Sequence, residues 1–539
     1  MYTRRWHLLS SLVHNPLTRH TFLAGAAGAG LVALTGNWRQ AIGAGTPEIA
    51  RGGVFAQSVA SGQPSTDGIT LWTKLSQLER PGLIQYEVSP DADFRSVLAR
   101  HSVLPAAERD FAVTTRLRSA KLRPGEQYYY RFLTCDRSSP VGRFRTLRPA
   151  DSNQPVRIGF FSCQEWNGGF YTAHAALAEE QDLDVVICLG DYVYERNYYE
   201  SGARTDTTGP NRDGDVQTLP EYRDKYRLYH TDPNLLRVRE THSLLATWDD
   251  HEAEDNYAGD QPGDATPNPR VPFLQRRAAG YQAFFEHMPL VRDTAAPDRV
   301  YGQATLGRHA DLFVLDQRRY RSDQPCGDPI AQPCPEAEDA GRTMLGPEQK
   351  AWFKTALAGS RATWKLVGNP LMVMALEVTP RGGSFTYDSW DGYKAERREL
   401  LDFIRARGIS DVAFLTGDIH TFFAGNVTPS GREGPGEPAA VATEFVGGAI
   451  SSQGIADQYA GEGGAPAVAF PADAVVKANN PHIRFSNQQS KGYGVLEARA
   501  GELLVQYKSP RTVLQPRATS FTSGRFRVAR GTPGVEVLG

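Results

Sequence analysis

The chain has 539 residues, of which 40% are hydrophobic and 22% are charged. Its formal net charge of −2 excludes a global electrostatic attraction to nucleic acid or to anionic membranes. The chain is longer than one ordinary hydrophobic core can accommodate, so we expect either two domains or one large elaborated domain.

The first 46 residues have the features of an export signal. Residues 21–36 carry no charge, are rich in glycine and alanine, and follow Arg19 and His20. The apolar run is too short and too rich in glycine for a membrane span. We therefore predict an exported protein, located in the periplasm or outside the cell, without a transmembrane anchor in its mature part.

The export machinery that would recognise this segment is left open by the sequence. Weak hydrophobicity favours the twin-arginine route, which carries folded proteins loaded with their cofactors. However, the pair Arg4 and Arg5 lacks the following Phe-Leu, and His20 stands where a second arginine would follow Arg19. The sequence therefore predicts export more firmly than it predicts the translocase.

Cysteine use agrees with an oxidising compartment. Cys326 and Cys334 lie in the loop-like segment QPCGDPIAQPCPE, and we predict that they form a disulfide. Cys188 lies in the apolar run DVVICLG and is expected to be a small core residue. Cys135 receives no assignment, and Cys163 is considered below.

Residues 47–150 contain short runs of β type, such as ITLWTKL, LIQYEVS and YYYRFLT, separated by turn residues. This pattern predicts a small N-terminal β-sandwich domain. This region contains no cluster of residues suited to catalysis or metal binding, so its role is structural or it forms a wall of the active site.

From residue 151 to residue 510, apolar strand-like runs alternate with helical patterns, which predicts an α/β domain. The predicted helices lie at residues 168–181, 220–230, 274–287, 347–360 and 395–408. Residues 511–539 are polar, and we expect them to be a C-terminal tail on the surface.

Five predicted strands end in side chains able to bind metal. These are Cys163, Asp191 with Tyr194, Asp249 to Glu252, Asn369, and Asp418 with His420. Each segment alone has a plain explanation, since aspartates often cap helices or form turns and buried cysteines are commonly inert. The carboxyl ends of strands in α/β sheets form the edge at which ligands bind. The repetition at equivalent places therefore predicts one metal centre.

The donor types indicate two kinds of cation. Carboxylate and amide oxygens suit calcium, magnesium or manganese. A thiolate, a phenolate and an imidazole suit a transition metal of stronger Lewis acidity. Asp191 is the natural bridge between them, and two adjacent cations fit phosphoryl chemistry.

The motifs FAQSVASGQPSTDGITLWTKL, SPVGRFRT, FFSCQ, GDYVYE, TWDDHE, LDQRRYRSDQPCG, DSWDGY and TGDIHTF occur in this order. Together they resemble the alkaline phosphatase D (PhoD-like) family of the calcineurin-like and purple acid phosphatase-type metallophosphoesterases. The resemblance implies a two-sheet β core flanked by helices, preceded by the small β-sandwich. It also implies an exported phosphoesterase that acts through a metal-activated hydroxide or oxide.

The resemblance implies a ferric iron at Cys163, Asp191, Tyr194 and His420. It implies calcium, with more than one ion, at Asp191, Asp250, Asn369 and Asp418, with Asn256 as a further oxygen ligand. Manganese and zinc are less favoured.

Three further residues are predicted to assist the reaction. His251 would donate a proton or a hydrogen bond to phosphate. Arg318 and Arg321 are predicted phosphate contacts, because a guanidinium binds phosphate oxygens in pairs. The alternative is that one or both of these arginines form surface ion pairs.

The substrate is predicted to be a phosphate ester, either a small molecule or a polymer. Phosphodiesters are the first expected substrate class and phosphomonoesters the second, and phospholipase D-type cleavage is an alternative. A non-catalytic calcium-binding surface protein would not need Cys163 and Tyr194. A dinuclear amidohydrolase would need several histidines near strand ends, where only His251 and His420 lie.

Overall fold

A computed structural model describes residues 48–199, 202–263, 269–329, 332–378, 383–454, 456–457 and 473–539. The predicted export signal, residues 1–46, lies outside these described residues. Residues from Glu48 to Gly539 group as one unit. Among the residues described, no helix is long and apolar enough to cross a bilayer.

The N-terminal region consists of antiparallel strands. They are β1 (Arg51–Val54), β2 (Val59–Ser65), β3 (Gly68–Lys74), β4 (Ser76–Arg80), β5 (Ile84–Ser89), β6 (Ala99–Val103), β7 (Ala112–Arg118), β8 (Gln127–Leu133) and β9 (Gly142–Arg145). Strand β8 alternates and buries Tyr128, Tyr130 and Phe132. The sheet β6-β5-β8-β9 packs through these residues on β2, β3 and β7. The predicted β-sandwich is confirmed.

The boundary predicted at residue 150 does not separate the sheets. Strand β2 pairs in parallel with a strand of the α/β region, where Ser61 faces Ser243 and Gly62 faces Leu244. The sequence pattern could not show this pairing, because hydrogen bonds between distant strands leave no mark on local alternation.

The first sheet of the α/β region has ten strands in the order β23-β22-β21-β20-β10-β11-β12-β2-β3-β7. Its further strands are β10 (Val156–Phe161), β11 (Val185–Cys188), β12 (Ser243–Ala246), β20 (Tyr493–Ala498), β21 (Glu502–Pro510), β22 (Ser520–Ala529) and β23 (Val535–Val537). Strands β10, β11 and β12 run parallel to one another, so their carboxyl ends meet at one edge.

The second sheet has seven strands in the order β13-β14-β15-β16-β18-β17-β19. They are β13 (Gly302–Leu306), β14 (Ala310–Val314), β15 (Trp364–Asn369), β16 (Val412–Thr416), β17 (Phe422–Val427), β18 (Ala442–Val446) and β19 (Ile483–Asn487). Phe160 and Ile187 of the first sheet share a buried apolar core with Leu366 and Leu415 of the second. The two sheets therefore pack face to face.

Helices cover the outer face of each sheet, and all five predicted helices are present. Helices α1 (Thr172–Glu179), α2 (Leu219–Tyr229), α3 (Pro233–Thr241) and α4 (Phe273–His287) pack on the first sheet, and α5 (Gly346–Gly359), α6 (Lys394–Ala406) and α7 (Asp473–Asn479) on the second. Helix α3 was not predicted. It begins at Asp232, whose carboxylate accepts from the N–H groups of Asn234 and Leu235.

Residues 511–539 differ from the predicted surface tail. They contain β22 and β23, which continue the ten-stranded sheet beyond β21. Phe526, Val528 and Val535 are buried in the core between the sheets. Only alternate residues of β22 face that core, so its average composition is polar and resembled a tail.

The predicted disulfide between Cys326 and Cys334 is confirmed, with an S–S distance of 2.07 Å. Cys188 is a buried core residue, as predicted. Cys135 is exposed. Cys163 is buried and not bonded to another cysteine.

Candidate metal centre

The loops that follow β10, β11, β12 and β16 converge. Their side chains form three groups that share members. Within each group, the candidate ligand atoms lie within 4.8 Å of one another. The groups are Cys163, Asp191 and His420; Asp191, Asp250 and His251; and Asp249, Asp250 and Asp418. The predicted convergence of strand ends is therefore present in the fold.

Several predicted ligands lie in a backbone conformation that residues other than glycine seldom adopt. Positive φ angles occur at Cys163 (57°), Asp191 (55°), Asn256 (58°), Asp418 (64°) and His420 (53°). Such angles cost free energy and persist where the surrounding structure enforces them. The loops are thus held in shapes that direct these residues to one place.

The first group contains a thiol, a carboxylate and an imidazole, and Tyr194 joins it. The Tyr194 hydroxyl lies 3.2 Å from Oδ2 of Asp191 and 3.1 Å from Nε2 of His420. The second nitrogen of His420, Nδ1, lies 2.7 Å from the carbonyl oxygen of Gln453. Because this carbonyl can only accept, Nδ1 carries the proton and Nε2 keeps its lone pair for a metal.

The third group contains only carboxylates. Asp250 was predicted as a ligand, whereas its neighbour Asp249 was quoted in the motif but not assigned. The structure places Asp249 beside Asp250 and Asp418. The signal that pointed to it was the consecutive pair of acids directly after a strand.

His251 lies between the groups. Its Nδ1 is 2.9 Å from a carboxylate oxygen of Glu195, and its ring stacks on Tyr194 with centroids 4.0 Å apart. Burial lowers the pKa of His251, but Asp250, Asp191 and Glu195 more than offset this effect and raise the pKa well above its usual value. The neighbouring carboxylates therefore favour the protonated imidazole.

Burial and nearby carboxylates disfavour ionisation of Asp191, Asp418, Cys163 and Tyr194. Burial raises the pKa of Asp191 and of Asp418 well above the usual range, and neighbouring carboxylates add to the shift. Burial likewise raises the pKa of Cys163 and of Tyr194, with Asp191 contributing to both. A bound cation would reverse these shifts, because it favours the ionised form of each ligand.

Two carboxylate oxygens of the centre carry no hydrogen bond within the described part of the chain. They are Oδ1 of Asp191 and Oδ2 of Asp249, and both are buried. Leaving such an atom unsatisfied costs about 1–3 kcal/mol or more. Cations would supply the missing partners, so the residues present fit a metal centre.

The structure corrects the role predicted for Arg318. Its guanidinium is fully buried and donates to Asp249, to Asp388 at 2.7 Å and to Asp418 at 3.3 Å. Asp250 lies 3.5 Å away. A buried charge must be paired, and these carboxylates occupy every nitrogen of the group. Arg318 is thus a counter-ion of the acidic groups rather than a contact waiting for phosphate.

Arg321 has a similar position. Its Nη2 atom donates to Oδ1 of Asp388 at 2.6 Å and to the carbonyl of Tyr257 at 2.9 Å. Its side chain is fully buried. Both arginines therefore form ion pairs, as the alternative expected, but these pairs are buried and not on the surface. Asp388, from the DSWDGY motif, is the residue that sequence reasoning missed here.

Asn369 ends β15 as predicted, but its amide is engaged elsewhere. Its oxygen accepts from Gln317 and from Trp390, the latter at 3.3 Å. Its nitrogen donates to Leu371 and to Thr416. An amide has two acceptor and two donor positions, and all four are used. The structure thus leaves Asn369 no lone pair for calcium.

Asn256 reaches the centre through its backbone. Its N–H donates to Oδ2 of Asp250 at 2.7 Å, and its carbonyl accepts from Gln324 at 2.6 Å. The residue is half-buried. It therefore lies beside the acidic group, and these contacts orient Asp250.

Comparison with known proteins gives matches along most of the chain. Residues 158–507 match the model of the PhoD-like phosphatase family, and residues 43–148 match the model of the PhoD-like phosphatase N-terminal domain. The chain is similar to alkaline phosphatase D of Bacillus subtilis (strain 168), with 32% identity over 543 residues that cover 97% of this chain and 90% of the relative.

Two solved structures are similar to the fold. A structure of PhoD superposes with a TM-score of 0.81 and 31% identity, covering 90% of this chain and 92% of that one. A purple acid phosphatase, PPD1 from yellow lupin seeds, gives a TM-score of 0.53 at 12% identity, covering 88% and 74%. The second likeness concerns the fold alone.

Proposed function

Since this chain belongs to the PhoD-like phosphatase family and is a phosphoric ester hydrolase, we propose that it is an exported enzyme that hydrolyses phosphodiesters at an iron–calcium centre. The observation that carries this proposal is the position of Asp191. This residue belongs both to the group with Cys163 and His420 and to the group with Asp250 and His251. A shared carboxylate of this kind is suited to two neighbouring cations.

The donor atoms support one cation of each type. Cys163, Tyr194 and His420 would hold iron with Asp191, because thiolate, phenolate and imidazole suit a transition metal. Carboxylate oxygens suit calcium, and Asp249, Asp250 and Asp418 would supply them beside Asp191. The chemistry that such a pair supplies is Lewis acidity toward phosphoryl oxygens and a lower pKa for bound water.

The chain's own residues hold a proton beside this chemistry. Glu195 binds Nδ1 of His251 and favours the charged imidazole. The other ring nitrogen is then left to donate a hydrogen bond or its proton to the phosphate ester. Stacking on Tyr194 fixes the plane of the ring.

The charge of the site favours diesters over monoesters. Arg318 and Arg321 are both buried and paired with carboxylates, so neither is directed to a phosphate. A monoester carries a charge of about −1.5 to −2 at pH 7, since its second pKa is about 6. A diester lacks that second ionisation and carries one negative charge, which needs fewer cationic partners.

Export is supported by two independent features. The first is the apolar segment at residues 21–36. The second is the disulfide between Cys326 and Cys334, because disulfides persist in oxidising compartments and are rare in the cytosol.

The test uses the purified enzyme with bis-p-nitrophenyl phosphate, p-nitrophenyl phosphate and phosphatidylcholine vesicles, together with elemental analysis. We expect iron and calcium in the protein and a higher kcat/KM for the diester than for the monoester. Release of choline from the vesicles would favour the phospholipase D-type alternative. Full activity after removal of all metal would contradict the proposal.

A further inference from the structure

Glu252 is a fully buried carboxylate that directly follows His251. It belongs to none of the groups of candidate ligands. Instead, it accepts hydrogen bonds from three backbone N–H groups, those of Asp191 at 3.1 Å, Tyr192 at 2.6 Å and Asp249 at 2.8 Å. Two of these residues follow β11 and the third follows β12, so one side chain binds the loops after both strands.

The two loops pass close to each other and need such an acceptor. Gly190 has a φ of 108°, and a Cβ atom added there would lie 2.4 Å from Cβ of Asp249. No strand pairing extends to these residues, so their N–H groups lack ladder partners. Buried N–H groups are almost always paired in folded proteins, and here the carboxylate of Glu252 provides the pairing.

We propose that Glu252 is a positioning residue of the centre: it fixes Asp191 and Asp249, which carry the two unsatisfied carboxylate oxygens, relative to each other. This inference rests on the proposed metal-dependent function. Glu252 itself contacts neither substrate nor cation in this scheme. It acts through the backbone of the loops that present the ligands.

Tyr192 connects the hydrogen bonds of Glu252 to the loop after β10. Its N–H binds Glu252, and its carbonyl oxygen accepts from the amide of Gln164 at 2.8 Å. Gln164 directly follows Cys163. The hydroxyl of Tyr192 accepts from Arg239 at 2.9 Å. The loops after β10, β11 and β12 are therefore joined through one buried set of hydrogen bonds.

The arrangement predicts which substitution is informative. Oε2 accepts from Asp191 and Asp249, while Oε1 accepts from Tyr192. Glutamine has nearly the same shape, but its NH₂ group can only donate. In Glu252→Gln, at most two of the three hydrogen bonds survive, and one N–H faces another donor.

Glu396→Gln provides a matched control. Glu396, on helix α6, is also a buried carboxylate: its Oε1 accepts from the N–H groups of Met344 at 3.2 Å and Leu345 at 3.0 Å, and its Oε2 pairs with Lys350 at 3.2 Å. It contacts no member of the metal centre. Both substitutions replace a buried carboxylate that accepts backbone hydrogen bonds, so a general loss of stability affects both.

The experiment measures retention of iron and calcium against a chelator, kcat for bis-p-nitrophenyl phosphate, and Tm. For Glu252→Gln we expect metal affinity and kcat to fall by about 10–100-fold, with partial recovery of kcat in excess metal. For Glu396→Gln we expect a lower Tm with unchanged metal affinity. Wild-type metal affinity in Glu252→Gln, or an equal loss in Glu396→Gln, would overturn the inference.

Hydrogen exchange of the wild-type enzyme covers the case in which Glu252→Gln does not fold. Peptides over residues 188–193 and 247–250 should stay protected after the metals are removed, because Glu252 holds these amides without a cation. Rapid exchange there would overturn the positioning role. Absence of metal and of phosphoesterase activity in the wild type would instead overturn the proposed function, so the two failures are distinguishable.

Discussion

The hydroxyl of Tyr194 lies 3.1 Å from Nε2 of His420, although 226 residues separate the two in the chain. Tyr194 comes from the loop after β11 in the first sheet, and His420 from the loop after β16 in the second. Their contact is therefore a point at which both sheets contribute to one centre.

We expect Tyr194→Phe to lose iron while the fold is retained. The substitution removes one anionic donor, and the ring can still stack on His251. Elemental analysis and kcat measure the effect. Tyr226→Phe is the control, since the buried hydroxyl of Tyr226 has no hydrogen-bond partner among the described residues. Normal iron content in Tyr194→Phe would exclude the phenolate as a ligand.

Cys163→Ala is expected to abolish iron retention and activity without unfolding the protein, because Cys163 lies in the loop rather than in the strand. Cys188→Ala is the matched control. Cys188 is equally buried, but it lies within β11 in an apolar cluster. We expect that control to lower Tm and to keep the metal. Full activity in Cys163→Ala would refute the iron assignment.

Arg318→Met should lower the stability and not only the affinity for substrate. Removing this cation leaves Asp249 buried without its cationic partner and leaves Asp388 with Arg321 alone. Breaking a buried ion pair in this way typically costs about 3–5 kcal/mol. Arg527→Met, which breaks an exposed ion pair with Glu502, should cost about 1 kcal/mol or less. Denaturant unfolding measures both. A change in KM alone for Arg318→Met would restore its role as a phosphate contact.

Stability is expected to fall as the pH drops below 6.5, in part through His287. Burial is the main reason that the pKa of His287 falls from 6.5 to about 3 in the folded chain. The unfolded chain therefore binds this proton first, and the stability present above pH 6.5 is lost progressively toward pH 3.

Each pH unit in that window costs up to about 1.4 kcal/mol for a single group. His287→Gln should therefore flatten the dependence of Tm on pH between 7 and 5. An identical profile for His287→Gln and the wild type would contradict the prediction.

The disulfide between Cys326 and Cys334 should stabilise the protein by about 2–3 kcal/mol, the value expected for a loop of this length. The segment just before this loop contributes Gln324, which donates to Asp388 at 2.6 Å. Replacement of both cysteines by serine should lower Tm and also reduce kcat. Cys135→Ser, at an exposed site, should change neither quantity.

Local sequence patterns were sufficient to predict the features that depend only on neighbouring residues. The helix in residues 274–287 and the strand that ends just before Cys163 could be predicted from neighbouring residues alone. The convergence of Asp191 and Asp418 followed from the rule that ligands bind at the carboxyl ends of strands.

The parts that sequence reasoning missed depend on contacts between distant residues. Whether Arg318 faces phosphate or Asp388 depends on a loop 70 residues away. Whether the amide of Asn369 is free depends on Gln317 and Trp390. The pairing of β2 with β12 is likewise invisible to a periodicity of two residues. None of these relationships has a local signature.

The ten-stranded sheet has a kinetic consequence. Strands β2, β3 and β7 come from the first part of the chain, and β22 and β23 come from its last residues. During synthesis the sheet therefore cannot be completed until the segment that contains β22 and β23 has left the ribosome. Strand pairs between such distant segments form slowly, because the chain loses the conformational entropy of loop closure before the stabilising contacts are made. We expect nascent chains that end before residue 520 to remain substrates for chaperones.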